Sequence, residues 1–203
     1  AEILDIPIEQ VIFSKGVFRG TADKTLSLAD IARLMDETGD SLEVAAQANP
    51  SAPTNAFAAH ICDLKIDAGT GKTEIIRYTA IQDVGTAIHP SYVEGQLQGG
   101  AVQGIGWTLN EEYVFDTEGT MLNSSFLDYR MPTIMDLPMI DTILVEVPNP
   151  VHPLGVRGVA ETPIVPPLGA VANAIHDATQ IRFYQQPINP QKILTALTNQ
   201  PNH

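Results

Sequence analysis

The sequence predicts an α+β protein, a mixed sheet packed with helices. Short strand-like runs and longer helix-like runs follow one another without the regular βαβ alternation of a doubly wound fold. The 203 residues, 44% of them hydrophobic and only 17% charged, suit a globular chain, and a chain of that length buries roughly 70% of its unfolded surface. The single cysteine, Cys62, excludes an internal disulfide framework and a zinc site built from several thiolates. With 24 acidic against 11 basic side chains the net charge is -13, which repels nucleic acid and anionic membrane alike. No apolar run approaches the ~20 residues of a membrane span. The chain opens at Ala1 with no initiator Met and no leader pattern, and is expected to be one portion of a longer polypeptide. The expected compartment is the cytoplasm, with the periplasm left open.

Two short apolar runs, Val11-Ile12-Phe13 and Val17-Phe18-Arg19, flank Ser14-Lys15-Gly16 and read as a hairpin. Ser27 then caps a helix, with Asp30 completing a variant capping box, Leu28, Ile31, Leu34 and Met35 forming the apolar stripe, and Gly39 ending it. Leu42 to Ala48 reads as a strand, and the breakers Asn49-Pro50-Ser51-Ala52-Pro53 mark a boundary. The expected organisation is a small leading segment, 1–50, and a main domain, 51–203. Ala59 to Ile66 and Thr73 to Val84 alternate as two strands around Asp67-Ala68-Gly69-Thr70-Gly71, a second hairpin. Apolar residues from Tyr92 to Leu109 recur at helical spacing just after Pro90. Tyr113 to Phe115 and Ile140 to Val147 read as strands. Pro166 to Thr179 reads as a helix with an Ala170, Ala174, Ala178 face, and Asn189 to Thr198 as a terminal helix with Pro190 in its first turn.

Few motifs carry chemistry. Gly69-Thr70-Gly71-Lys72-Thr73 resembles the tail of a phosphate loop, but Ile66 stands where that loop needs glycine, and the order is strand–turn–strand. It reads as a hairpin turn. No two of His60, His89, His152, His176 and His203 have the helical spacing of a zinc pair, and Cys62 reads as a packing residue. The helix at 91–109 is more informative. It carries Gly95, Gly99, Gly100, Gly104 and Gly106, each costing up to ~1 kcal/mol against alanine, together with Gln96, Gln98 and Gln103. Such a helix needs another backbone or a ligand lying against it, and glutamine offers donors and an acceptor to a flat heterocycle. Tight helix packing explains the glycines but not Gln96 and Gln103. The second informative run, Gly155-Val156-Arg157-Gly158-Val159-Ala160-Glu161-Thr162-Pro163, places one carboxylate among small, apolar and stiff neighbours. Those surroundings are expected to desolvate Glu161, as suits a general base. The plainer alternatives are a helix cap or an ion pair with Arg157.

Together the two runs resemble the molybdenum hydroxylases, the xanthine oxidase and aldehyde oxidase family, in the C-terminal part of the molybdopterin-binding large subunit. Asp83-Val84-Gly85 through Pro90, Gly95 through Gly106, Ser125-Phe126-Leu127-Asp128-Tyr129-Arg130-Met131-Pro132, Gly158-Val159-Ala160-Glu161, Asn173-Ala174-Ile175 and Pro187-Ile188 carry the likeness, which spans essentially the whole chain. Ala160 stands where the family usually has glycine, and His89 where it often has asparagine. The resemblance implies a molybdenum–molybdopterin cofactor, in the cytosine dinucleotide form, whose metal is held by the pterin rather than by side chains. It implies cofactor contacts at Gln96, Gln103, Gly95, Gly99 and Gly104, and a general base at Glu161 for oxidative hydroxylation of an aldehyde or N-heterocycle. It further implies 2Fe-2S and FAD groups on other domains or subunits, an oligomer, and a missing N-terminal part or split large subunit without which this chain is inactive. The alternative is a non-catalytic assembly module that keeps the fold.

Overall fold

The computed structural model describes residues 1–20, 24–39, 41–47 and 55–199, and the breaker run at 49–53 lies outside them. The chain divides into two compact units, Ala1–Asn49 and Pro50–His203.

In the first unit β1 (Ile12–Ser14), β2 (Val17–Arg19) and β3 (Thr25–Ser27) form an antiparallel sheet in that order. Lys15 and Gly16 both take positive φ, 50° and 78°, the requirement of the two-residue turn whose twist matches paired strands. Helix α1 (Leu28–Thr38) starts at the expected capping box: Ser27 Oγ accepts from the Asp30 amide at 3.1 Å, and the Asp30 carboxylate accepts from the Ser27 amide at 3.0 Å. Gly39 ends it in the left-handed conformation. The expected strand at 42–48 does not form. Residues 42–47 are irregular and exposed, Val44 91% so, because alternation makes a strand only where a neighbour offers its backbone; Ala48 lies outside the described residues.

The second unit is built on a sheet ordered β4–β5–β6, with β4 (Ala58–Ile66) antiparallel to β5 (Thr73–Asp83) and β6 (Asp141–Val145) parallel to it. The parallel pair requires a crossover, and α2 (Pro90–Leu109) supplies it. Helices α3 (Val165–Thr179) and α4 (Pro190–Thr198) complete the unit. Tyr78 and Ala80 of β5, Ala101 and Ile105 of α2, Val171 and Ile175 of α3, and Ile188 and Ile193 form one buried core. Two details differ from expectation. The buried stripe of α3 is Pro167, Val171, Ile175 and Thr179, one residue on from the alanine row, since branched side chains remove more apolar surface from water. Tyr113–Phe115 is no strand; Phe115 makes a single bridge to Met121 within an irregular stretch. The turn at 67–71 is the plain hairpin expected, the Asp67 carboxylate accepting from the Gly69 amide at 2.8 Å.

Candidate cofactor-binding site

The five glycines of α2 fall into two groups. A Cβ on Gly100 would lie 2.5 Å from Pro163 Cγ and 3.1 Å from the Ala160 carbonyl oxygen, and one on Gly104 would collide with the Ile164 carbonyl oxygen. A Cβ on Gly106 would meet Pro132 at 2.7 Å. Gly100 and Gly104 let the 160–164 segment lie directly on the helix, and Gly106 admits the Glu111 and Pro132 side chains. Gly95 and Gly99 face open space, with nothing within 4 Å of either added carbon. Residues four apart share a helix face, so Gly95, Gly99 and Gln103 form one exposed row, flanked by Gln96.

The segment that lies on the glycines carries Glu161, and the end of β5 holds it. The Arg157 amide donates to the Val84 carbonyl at 3.3 Å, the Thr86 amide to the Gly155 carbonyl at 2.9 Å, and Gly85 bridges Val156. Gly85 has φ +65°, and a side chain there would collide with the Gly155 carbonyl oxygen. The Arg157 guanidinium reaches the Asp83 carboxylate at 3.1 Å, both side chains only 12% exposed, and donates to the Asn55 carbonyl at 2.9 Å. Asp83 also accepts from the Gly85 amide at 3.0 Å. A largely covered pair with these partners holds its segment, because removing either one would leave a charge poorly solvated. The chain then turns through a 3-10 helix, Thr162–Ile164, into α3.

The result is a cavity of about 380 Å³ lined by Gly95, Gln96, Gly99, Gly100, Gln103, Ala160, Glu161 and Ile164. The amide ridge and the carboxylate that the sequence singled out sixty residues apart therefore face the same space. Both plainer alternatives for Glu161 fail: it precedes the 3-10 helix without a side-chain cap, and Arg157 pairs with Asp83 instead. Among the described residues, the Glu161 carboxylate and the Gln96 and Gln103 amides have no side-chain partner. The expected desolvation of Glu161 is not present, for it is exposed; the stiff neighbours fix its backbone but leave the cavity open to water. Gly104 is buried beneath Ile164 and Pro167 rather than lining the cavity, and Gly100 and Ala160 line it instead.

The other candidates His60 and Cys62 are partly buried in β4. Burial holds the His60 imidazole down at about 4, and its Nδ1 lies 2.9 Å from the hydroxyl of Tyr78 inside the packed half. Burial likewise pushes the Cys62 thiol up to about 12, which makes it unreactive. No group of three or more His, Cys, Asp or Glu among the described residues could hold a metal ion, and no described helix is long and apolar enough to cross a membrane. Sequence reasoning missed Gln82, which is 1% exposed and donates from Nε2 to the carbonyls of Gly158 and Val159 at 3.4 and 3.3 Å. Its signal was a polar residue on the buried parity of β5, after Tyr78 and Ala80.

Residues 1–138 match the family model of the molybdopterin cofactor-binding domain. The chain belongs to this family. That match takes in α2 and stops short of Glu161. The xanthine dehydrogenase molybdenum-binding subunit of Escherichia coli O157:H7 is 34% identical over 174 residues, 83% of this chain and 23% of that protein. The carbon monoxide dehydrogenase large chain of Hydrogenophaga pseudoflava is 33% identical over 165 residues, covering 79% of this chain and 20% of its own length. The domain thus spans about a quarter of such relatives. Among solved structures, quinoline 2-oxidoreductase from Pseudomonas putida 86 superimposes with a TM-score of 0.82 at 29% identity, over 98% of this chain and 27% of that one. The mixed, helix-packed α+β fold of the domain is therefore that of the molybdenum-cofactor-binding region of these enzymes.

Proposed function

We propose that this molybdopterin cofactor-binding domain works within a molybdenum hydroxylase large subunit, where Glu161 is the general base for oxidative hydroxylation of an aldehyde or N-heterocycle. The observation that carries the reading is the shared cavity: two glutamine amides and one carboxylate, none with a side-chain partner among the described residues, around a helix face opened by Gly95 and Gly99. The pterin group suits such a surface. Gly95 and Gly99 let a flat ring approach the backbone, and Gln96 and Gln103 can each donate to and accept from its polar edge. Gly104 supports the contact from below by admitting the segment that leads to Glu161. When bound, the molybdenum group supplies the two-electron redox chemistry, which no side chain in the cavity offers. Glu161 would hold, on a carboxylate oxygen, the proton given up as the substrate is hydroxylated.

The remaining walls of the site, the substrate channel, and the 2Fe-2S and FAD groups that pass electrons onward belong to the rest of the large subunit and to its partners, and the pterin is its cytosine dinucleotide. Glu161→Gln in the assembled protein should lower turnover by roughly 10³-fold, within the ~10²–10⁴ range for a positioned base, while bound molybdenum is unchanged by metal analysis. Undiminished turnover would refute the role of Glu161. Absence of molybdenum and pterin from the wild-type assembly would favour the non-catalytic module.

A further inference from the structure

Gln82 is costly where it stands. It is 1% exposed, and its Oε1 is buried with no partner among the described residues. A buried acceptor left unmatched costs roughly 1–3 kcal/mol, and an aliphatic side chain on this face of β5 would avoid that cost. What the amide provides is a pair of donors. From Nε2 it reaches the carbonyl oxygens of Gly158 and Val159, seventy-six and seventy-seven residues away in sequence. Those two carbonyls immediately precede Ala160 and Glu161. The neighbouring Asp83 grips Arg157, so consecutive residues of one strand hold the two ends of a three-residue stretch. Gly158 needs the second hold, because nothing lies within 4 Å of its missing side chain and packing cannot fix it.

We propose that Gln82 is a positioning residue that sets where Glu161 stands over the cavity. This rests on Glu161 being the base. Gln82 does not line the cavity; it acts on the peptide units from which Glu161 extends, and through them on the distance between carboxylate and substrate. Misplacing a reacting group by about 1 Å can cost ~10²-fold in rate.

The test is Gln82→Met in the assembled protein, a change of similar shape that removes both donors. Amide hydrogen exchange across 158–161, the melting temperature, molybdenum content, and kcat and KM with quinoline and benzaldehyde as probes are compared with wild type. Exchange should rise about tenfold and kcat fall about 10- to 100-fold, with KM and molybdenum content unmoved and the melting temperature no lower than that of the wild type. Unchanged exchange overturns the proposal, and so does faster exchange with kcat intact. If the Met variant does not fold, Gln82→Asn keeps the amide one methylene short of the carbonyls; wild-type behaviour there is equally contrary. Failure of both to fold would assign Gln82 to the fold alone. Where neither probe is turned over, exchange decides. If Glu161→Gln keeps turnover, the base assignment falls, while exchange still reads the hold of Gln82 on its segment.

Discussion

The two sides of α2 use the same residue for opposite reasons. On the packed side, Gly100 and Gly104 are required because the 160–164 segment, the Pro163 ring over Gly100 and the Ile164 carbonyl over Gly104, occupies the place a side chain would fill. On the open side, Gly95 and Gly99 meet nothing among the described residues, whose packing gives no reason for them. A glycine that pays the helix penalty of up to ~1 kcal/mol without a neighbour points to something outside the chain. Both sides serve one place, since the packed glycines bring Glu161 to the edge of the surface that the open glycines leave bare.

That contrast can be broken by substitution. The largest effect is expected from Gly104→Ala, whose new carbon collides with the Ile164 carbonyl; it should destabilise the domain by about 3 kcal/mol, in the range of overpacked cores, read as a lower denaturation midpoint. A silent Gly104→Ala would mean that the 160–164 segment is not held against α2.

A smaller effect comes from acid. Buried beside Tyr78, His60 stays neutral down to about 4 when folded, against its ordinary 6.5. The unfolded chain therefore binds the proton first. Stability should decline as pH falls from about 6.5 toward about 4 and level off below. His60→Phe should flatten that slope in denaturant titrations at several pH values; an unaltered slope would place its origin elsewhere.

The smallest effect has the opposite sign. Gly99→Ala meets no atom, so it should stabilise the helix by up to ~1 kcal/mol while lowering the molybdenum content of the assembled protein. A stabilised variant with full molybdenum would show that the open face is not the cofactor surface.

Much of this was legible in the sequence. The Lys15-Gly16 hairpin, the Ser27–Asp30 capping box, the Pro90 start of α2 and Asn189 at the start of α4 each depend on residues close together in the chain, and such signals are read locally. Asn189 accepts from the Lys192 amide at 2.9 Å, as a cap should. The failures are matters of partner choice. Residues 42–47 and 113–115 read as strands by residue type, but among the described residues no strand pairs with them. The alanine row of α3 lost the core to the branched row beside it. Glu161 could be singled out as one carboxylate among small residues, but its exposure depends on how the segment lies over α2. Gln82 was hidden because its partners are more than seventy residues away.

The most direct measurement is anomalous diffraction at the molybdenum absorption edge from crystals of the assembled protein. The metal peak should lie over the cavity bounded by Gly99, Gln103 and Glu161, with pterin density against the bare helix face. A peak on another surface of the domain, or Glu161 turned away from the pterin, would contradict the account.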